Sequence, residues 1–187
     1  MKTEIEAKIK VESLKPIDER LAELGAEFQC RLHQMDCYFN DADDKLTESG
    51  SGLRLRKQCT ADGEKILLTY KGPKQNAKFK TRTEIEVEVI DFDDMTALLS
   101  ALGYKKILEF EKQRRLWLLD DCEVALDMLP MLGAFIEIEG PDENAIAGVL
   151  QKLKLSHLPN IDQGYAKMMS KKLDESGVRK TKVLFKD

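Results

Sequence analysis

Glu4-Ile5-Glu6-Ala7-Lys8-Ile9-Lys10-Val11 alternates without a break. Ile5, Ala7, Ile9 and Val11 share one parity; Glu4, Glu6, Lys8 and Lys10 share the other. A period of two is that of a β-strand, here with one apolar and one charged face. Ser13 then reads as a helix N-cap with Pro16 in the first turn. Leu14, Ile17, Leu21 and Leu24 recur at helical spacing, and Gly25 supplies the stop.

The same strand-then-helix phrase returns twice. Thr83 to Val89 sets Glu84, Glu86 and Glu88 against Ile85, Val87 and Val89. The acidic start Asp91 to Asp94, the stripe Met95, Leu98, Leu99 and Leu102, and Gly103 follow. Phe135 to Glu139 sets Glu137 and Glu139 against Ile136 and Ile138. Gly140-Pro141 breaks that strand, Asp142 is placed to cap, and Ile146, Val149, Leu150 and Leu153 form the helical stripe. The irregular spacing makes this a pseudo-repeat inside one domain, not a solenoid.

Further alternating strands lie between these units. They run over Ser51 to Gln58, Lys65 to Lys71, Lys78 to Arg82, Glu111 to Trp117 and Glu123 to Met128. Asp41 to Gly52 and Lys71 to Lys80 are polar, turn-rich loops suited to a pocket rim. Asp162 to Leu173 reads as a helix, with Tyr165, Met168, Met169 and Leu173 on one face. The reading is one domain over residues 1–175 and a basic C-terminal tail over residues 176–187 that frays.

A chain of 187 residues suffices for one domain with a sizeable core. Its charged residues, 34% of the whole, exceed the usual share of about a quarter and need a location. The formal net charge of −4 argues against a nucleic-acid partner. No apolar run approaches the ~18 residues of a membrane span, and glutamates stand where a signal peptide would be apolar. Cys30, Cys37, Cys59 and Cys122 show neither C-x-x-C nor zinc spacing, which places them as reduced thiols in the cytoplasm.

Across the strands the polar face carries Lys8, Arg54, Arg56, Lys71, Lys80, Arg82, Lys112 and Arg114 beside Glu4, Glu6, Glu84, Glu86, Asp127, Glu137 and Glu139. Two arrangements fit. The charged face of an antiparallel sheet can be solvated, its charges forming weak cross-strand pairs. Alternatively the sheet closes with the charges inside and the amphipathic helices over an apolar outer wall. The helical stripes favour the second. Buried charges on that scale need partners or a ligand. A polyphosphate with divalent metal meets both needs, because guanidinium and ammonium groups match phosphate oxygens and paired carboxylates suit Mg²⁺ or Mn²⁺.

These residues resemble the CYTH family of triphosphate tunnel metalloenzymes. The resemblance rests on Glu4-x-Glu6-x-Lys8, Gln34-x-Asp36-x-Tyr38-Phe39, Leu53-Arg54-Leu55-Arg56 and Thr69-x-Lys71-Gly72-Pro73. It continues through Arg82-x-Glu84-x-Glu86, Lys112-x-Arg114, Leu126-Asp127, Phe135-x-Glu137-Ile138-Glu139 and Gly164-Tyr165. It implies an α+β fold, an eight-stranded antiparallel β-barrel with a charged interior flanked by helices. It implies Glu4, Glu6, Glu137 and Glu139 as metal carboxylates. Lys8, Arg54, Arg56, Lys71, Lys80, Arg82, Lys112 and Arg114 would hold the substrate. Glu4, Glu6, Asp127 and Glu139 would be catalytic, and Asp36, Glu84 and Glu86 are without assigned roles. One departure is Met131, where the family often carries glycine. The Thr-Tyr-Lys-Gly-Pro form is most similar to class IV adenylyl cyclases, which implies cyclisation of ATP. Hydrolysis by an inorganic or thiamine triphosphatase, and a non-catalytic triphosphate-binding module, are the rival readings; a homodimer is compatible with all three.

Overall fold

The computed structural model describes residues 2–177 and 180–186. β1 (Lys2–Val11), which contains the opening stretch, lies between β5 (Lys80–Val89) and β8 (Gly133–Glu139). From β5 the sheet continues through β4 (Gly63–Lys71) and β3 (Gly52–Thr60) to β2 (Glu27–Asn40). From β8 it continues through β7 (Cys122–Leu129) to β6 (Lys105–Leu119). The additional β2–β6 pairing closes the ring into an eight-stranded barrel, antiparallel at each of these pairings. Closure leaves no exposed edge in the ring.

The two parities of each strand then separate. Ala7, Ile9, Val124, Leu126, Ile136 and Ile138 form the outer apolar wall. It is covered by α1 (Lys15–Glu23) through Leu21 and by α4 (Glu143–Lys152) through Ile146, Val149 and Leu150. On the far side α3 (Phe92–Ala101) places Leu99 on Cys37, Phe39, Leu55 and Ile66. Leu108, Phe110, Leu129 and Phe135 have inward parity and pack on Tyr165, Met169 and Leu173 of α5 (Tyr165–Glu175). This helix therefore packs against the inner face at one end of the barrel. Among the described residues no helix is long and apolar enough to cross a membrane.

Local chemistry explains the helix ends. Asp91 accepts hydrogen bonds from the Asp93 and Asp94 amides, and Asp142 from those of Asn144 and Ala145, each satisfying free donors of a first turn. Ser13 acts one position early. Its hydroxyl accepts from the Lys15 amide at 3.3 Å, and Leu14 occupies the cap position without a side-chain bond. The α5 helix starts at Tyr165 rather than Asp162, with extended Gly164 at its N-cap, while Asp162 pairs with Lys74 before the helix.

Two regions differ from expectation. The strand around Gln34 to Phe39 extends over 14 residues, because it pairs with both β3 and β6. The C-terminal residues do not simply fray. β9 (Lys182–Val183) adds in parallel to β6, Val183 joins the apolar cluster at α5, and Lys182 reaches Glu109 at 2.6 Å. Of that tail, residues 178, 179 and 187 lie outside the described residues.

Candidate active site

The barrel encloses a cavity of about 1090 Å³. It is lined by Glu4, Glu6, Lys8, Arg54, Arg56, Lys71, Lys80, Arg82, Lys112, Arg114, Glu137 and Glu139. Parity brings them together, since each stands on the strand face opposite the outer wall. Lys8 and Lys112 retain only 1% of their surface each. The inward arrangement is therefore the one the chain adopts. Asp127 differs. It is fully buried and sits behind the lining, where it accepts both Arg114 nitrogens at 2.7 and 2.6 Å, Lys112 Nζ at 3.2 Å and the Tyr165 hydroxyl at 2.9 Å.

Cross-strand register explains the partners. Lys80 lies opposite Glu6 and donates to it, while Lys8 lies opposite Glu137 at 3.1 Å and also faces Glu6 at 3.6 Å. Arg114 bridges Asp127 and Glu137. Arg56 grips Asp36 with two parallel bonds of 2.6 and 2.7 Å, the fork geometry only arginine offers. Asp36 thus orients Arg56 from behind as Asp127 orients Arg114. Lys71 joins Glu4 at 2.6 Å to Glu84 at 3.0 Å, and Thr69 links Arg54 to Glu86. These contacts give Glu84 and Glu86 a place, as counter-ions of the cations.

The electrostatics follow. Burial pushes Glu137 upward, but Lys8, Arg114 and Lys112 outweigh it and hold its carboxyl well below the usual range. The same carboxylate and Glu6 overcome burial at Lys8 and raise it. Lys112 goes the other way. Burial and the neighbouring Arg114 lower it to about 7, against the opposing pull of Asp127 and Glu137. Glu139 is raised by burial and by the nearby Glu4 and Glu123, against the opposing pull of Lys2.

The donor set suits a hard divalent cation, since it consists of carboxylate oxygens. Glu4 Oε2 is buried without a hydrogen-bond partner, an open acceptor of the required kind. The four expected metal glutamates are nevertheless engaged by ammonium or guanidinium groups, and among the described residues no three acids are grouped closely enough to hold an ion. The charge of these glutamates is balanced here by lysine and arginine. The unpartnered groups on the basic side are donors. Arg54 Nε and Arg82 Nε are buried with no acceptor, and among the described residues no carboxylate lies within salt-bridge distance of Arg82.

Sequence reading missed Lys2, Glu123 and Tyr165. Lys2 lines the cavity and pairs with Glu139, and its parity with Glu4 was readable. Glu123 lies opposite Glu139 and shares parity with Ala125 and Asp127. Tyr165 was placed on an apolar helix face. Its ring lies 4.2 Å from Lys8 Nζ and its hydroxyl reaches Asp127, a contact across 38 positions that no local pattern announces.

A family model described as the CYTH domain matches residues 2–164. A Methanocaldococcus jannaschii protein provisionally named adenylate cyclase is 36% identical over 136 residues, 73% of this chain and 75% of that relative. Adenylate cyclase CyaB of Aeromonas hydrophila is 27% identical over 136 residues, 72% of this chain and 67% of that relative. A solved protein of Pyrococcus horikoshii superimposes with a TM-score of 0.78 at 30% identity, covering 90% of this chain and 99% of its own.

Proposed function

The chain belongs to the CYTH domain family, and from that membership we propose that it converts ATP to 3′,5′-cyclic AMP and pyrophosphate. Two similar proteins carry the adenylate cyclase name. The observation that carries the reading is the pair of buried, unpartnered nitrogens at Arg54 and Arg82. Leaving such a donor unsatisfied costs about 1–3 kcal/mol, so the inner wall is arranged for an anion that supplies the missing acceptors.

In this reading Lys8, Arg54, Arg56, Lys71, Lys80, Arg82, Lys112 and Arg114 hold the triphosphate, the arginines by their forks. Asp36 and Asp127 are positioning residues that fix Arg56 and Arg114. Glu4, Glu6, Glu137 and Glu139 would hold Mg²⁺ or Mn²⁺, which when bound polarises the phosphate and favours the ionised 3′-hydroxyl. In this structure Lys2, Lys71 and Lys80 pair with Glu139, Glu4 and Glu6 of that set. Cyclisation forms the O3′–Pα bond and breaks the bond from Pα to the bridging oxygen. Pyrophosphate leaves with that oxygen, and the hydroxyl proton passes to solvent. The cations offset the charge that develops on the leaving pyrophosphate.

The same cations would serve hydrolysis of a terminal phosphate, the inorganic or thiamine triphosphatase reading, since they grip phosphate and not the organic group. Incubation with ATP, tripolyphosphate and thiamine triphosphate in Mg²⁺ or Mn²⁺, followed by phosphorus NMR, decides between them. Cyclic AMP with pyrophosphate is the expected outcome, lost in Glu139→Gln with the fold retained. Orthophosphate alone would replace cyclisation by hydrolysis, and tight binding without product would leave a binding module.

A further inference from the structure

The cavity wall changes character across two neighbouring strand pairs. Arg54 on β3 lies opposite Tyr38 on β2, and Tyr38 lies opposite Leu108 on β6. A β-bulge follows at once. Tyr38 pairs with Leu108 but Phe39 pairs with Lys106, so Ile107 is the extra residue. An unbulged strand would turn Ile107 to the face opposite Leu108. Bulges re-aim side chains beside functional sites, and both Ile107 and Leu108 line the cavity here. Ile107 remains 44% exposed at the mouth, a large apolar side chain held in water by the bulge. Leu46 from α2 (Lys45–Glu48) and Ala166 from α5 complete this apolar sector. The Tyr38 ring is stacked on Phe110 with centroids 5.6 Å apart at 17°, which fixes it in place.

Phosphate oxygens gain nothing from leucine, isoleucine and a tyrosine ring. The cavity, about 1090 Å³, is slightly larger than the roughly 300–1,000 Å³ typical of organic-ligand sites, which combine apolar walls with a few placed polar groups. Resting on the triphosphate reading above, we infer that the cavity sector lined by α2 and α5 is the seat of the substrate's organic half, a flat ring system of the nucleobase kind. Tyr38, Leu46, Ile107, Leu108 and Ala166 form its wall, and Ile107 and Leu46 determine specificity. Glu48 and Lys167 both stand on this rim, so its charges balance and the apolar wall is what selects the ring.

The test is calorimetric binding of ATP, tripolyphosphate and thiamine triphosphate to the wild type and to the Leu46→Ser, Ile107→Ser double variant, first metal-free and then with Mg²⁺. Neither side chain is fully buried, and a thermal melt verifies that the variant folds. Two partly covered aliphatic side chains account for about a tenfold loss of ATP affinity in the variant. Tripolyphosphate affinity stays within about twofold, since its contacts are elsewhere. Leu46→Met with Ile107→Val restores ATP binding. Equal loss for both ligands, or no loss for ATP, overturns the inference, as does thiamine triphosphate binding more tightly than ATP. A wild type that takes tripolyphosphate but not ATP overturns this inference and ATP as the substrate while leaving the triphosphate site. The loss of ATP affinity from wild type to variant tests the organic seat alone, and a wild type that takes neither ligand overturns the triphosphate reading as well.

Discussion

Ile138 and Glu137 are consecutive in β8, yet they belong to two different walls of the barrel. Ile138 is sealed in an apolar cluster with Ala7, Val124 and Ile146. Glu137 faces Lys8 and Arg114 inside the cavity. The outer wall is held by burial of aliphatic surface beneath helices, worth about 1.5–3 kcal/mol for each large side chain. The inner wall contributes little net stability, because each ion pair must first recover its desolvation cost. One wall makes the fold and the other makes the site, and one residue of register separates them.

The largest test of that division puts a charge on the wrong wall. Ile138→Glu strands an unpaired carboxylate among aliphatics, at a cost of more than about 4 kcal/mol against a total of roughly 5–15. Loss of soluble, cooperatively melting protein is the expected result. Asp127→Asn follows. It leaves Lys112 and Arg114 buried without their common counter-ion, and urea denaturation should register a loss of about 3–5 kcal/mol. A loss under about 1 kcal/mol would mean that Asp127 is not what holds the basic side together.

Lys112 makes the comparison depend on pH. Unfolded, it keeps its proton up to about 10.5, whereas folded it releases it near 7. Between those values the unfolded chain binds more protons, so this residue's contribution to stability grows as pH rises from 7. Triphosphate binding favours the charged form and should take up a proton above pH 7, with affinity falling as pH rises. Calorimetry in buffers of different ionisation enthalpy checks this, and Lys112→Met should abolish the uptake. The smallest effect lies outside both walls. Met131 sits in the turn before β8 at a φ of 61°, the left-handed region where glycine is unstrained. Met131→Gly should add about 0.5–1 kcal/mol without changing ligand binding.

Much of this was legible because alternation survives wherever one strand face meets helices and the other meets charges. β1, β5 and β8 are such strands, and parity alone placed Lys8, Arg82 and Glu137 on one wall. The first half of β2 was hidden by a bulge between Phe28 and Cys30, which breaks the period of two. Another bulge concealed Ile107, whose position in the chain assigns it to the outside. The residues behind the site were illegible for a different reason. Asp127 was read as a catalytic residue of the inner wall; the structure buries it completely against Arg114, Lys112 and Tyr165, which arrives from a distant helix. The left-handed φ of Met131 gives a physical reason for glycine at that position, which the sequence presents only as an exception.

Arg82 tests the central claim most directly, because it is a buried cation with no acid partner among the described residues. Thermal melts of the wild type and Arg82→Met, at low salt with and without tripolyphosphate, separate the two walls in one experiment. The account predicts that the variant melts no lower than the wild type when free, and that tripolyphosphate raises the melting temperature of the wild type far more than that of the variant. A variant that is destabilised when free yet stabilised as fully by tripolyphosphate would contradict it, since Arg82 would then serve the fold and not the anion.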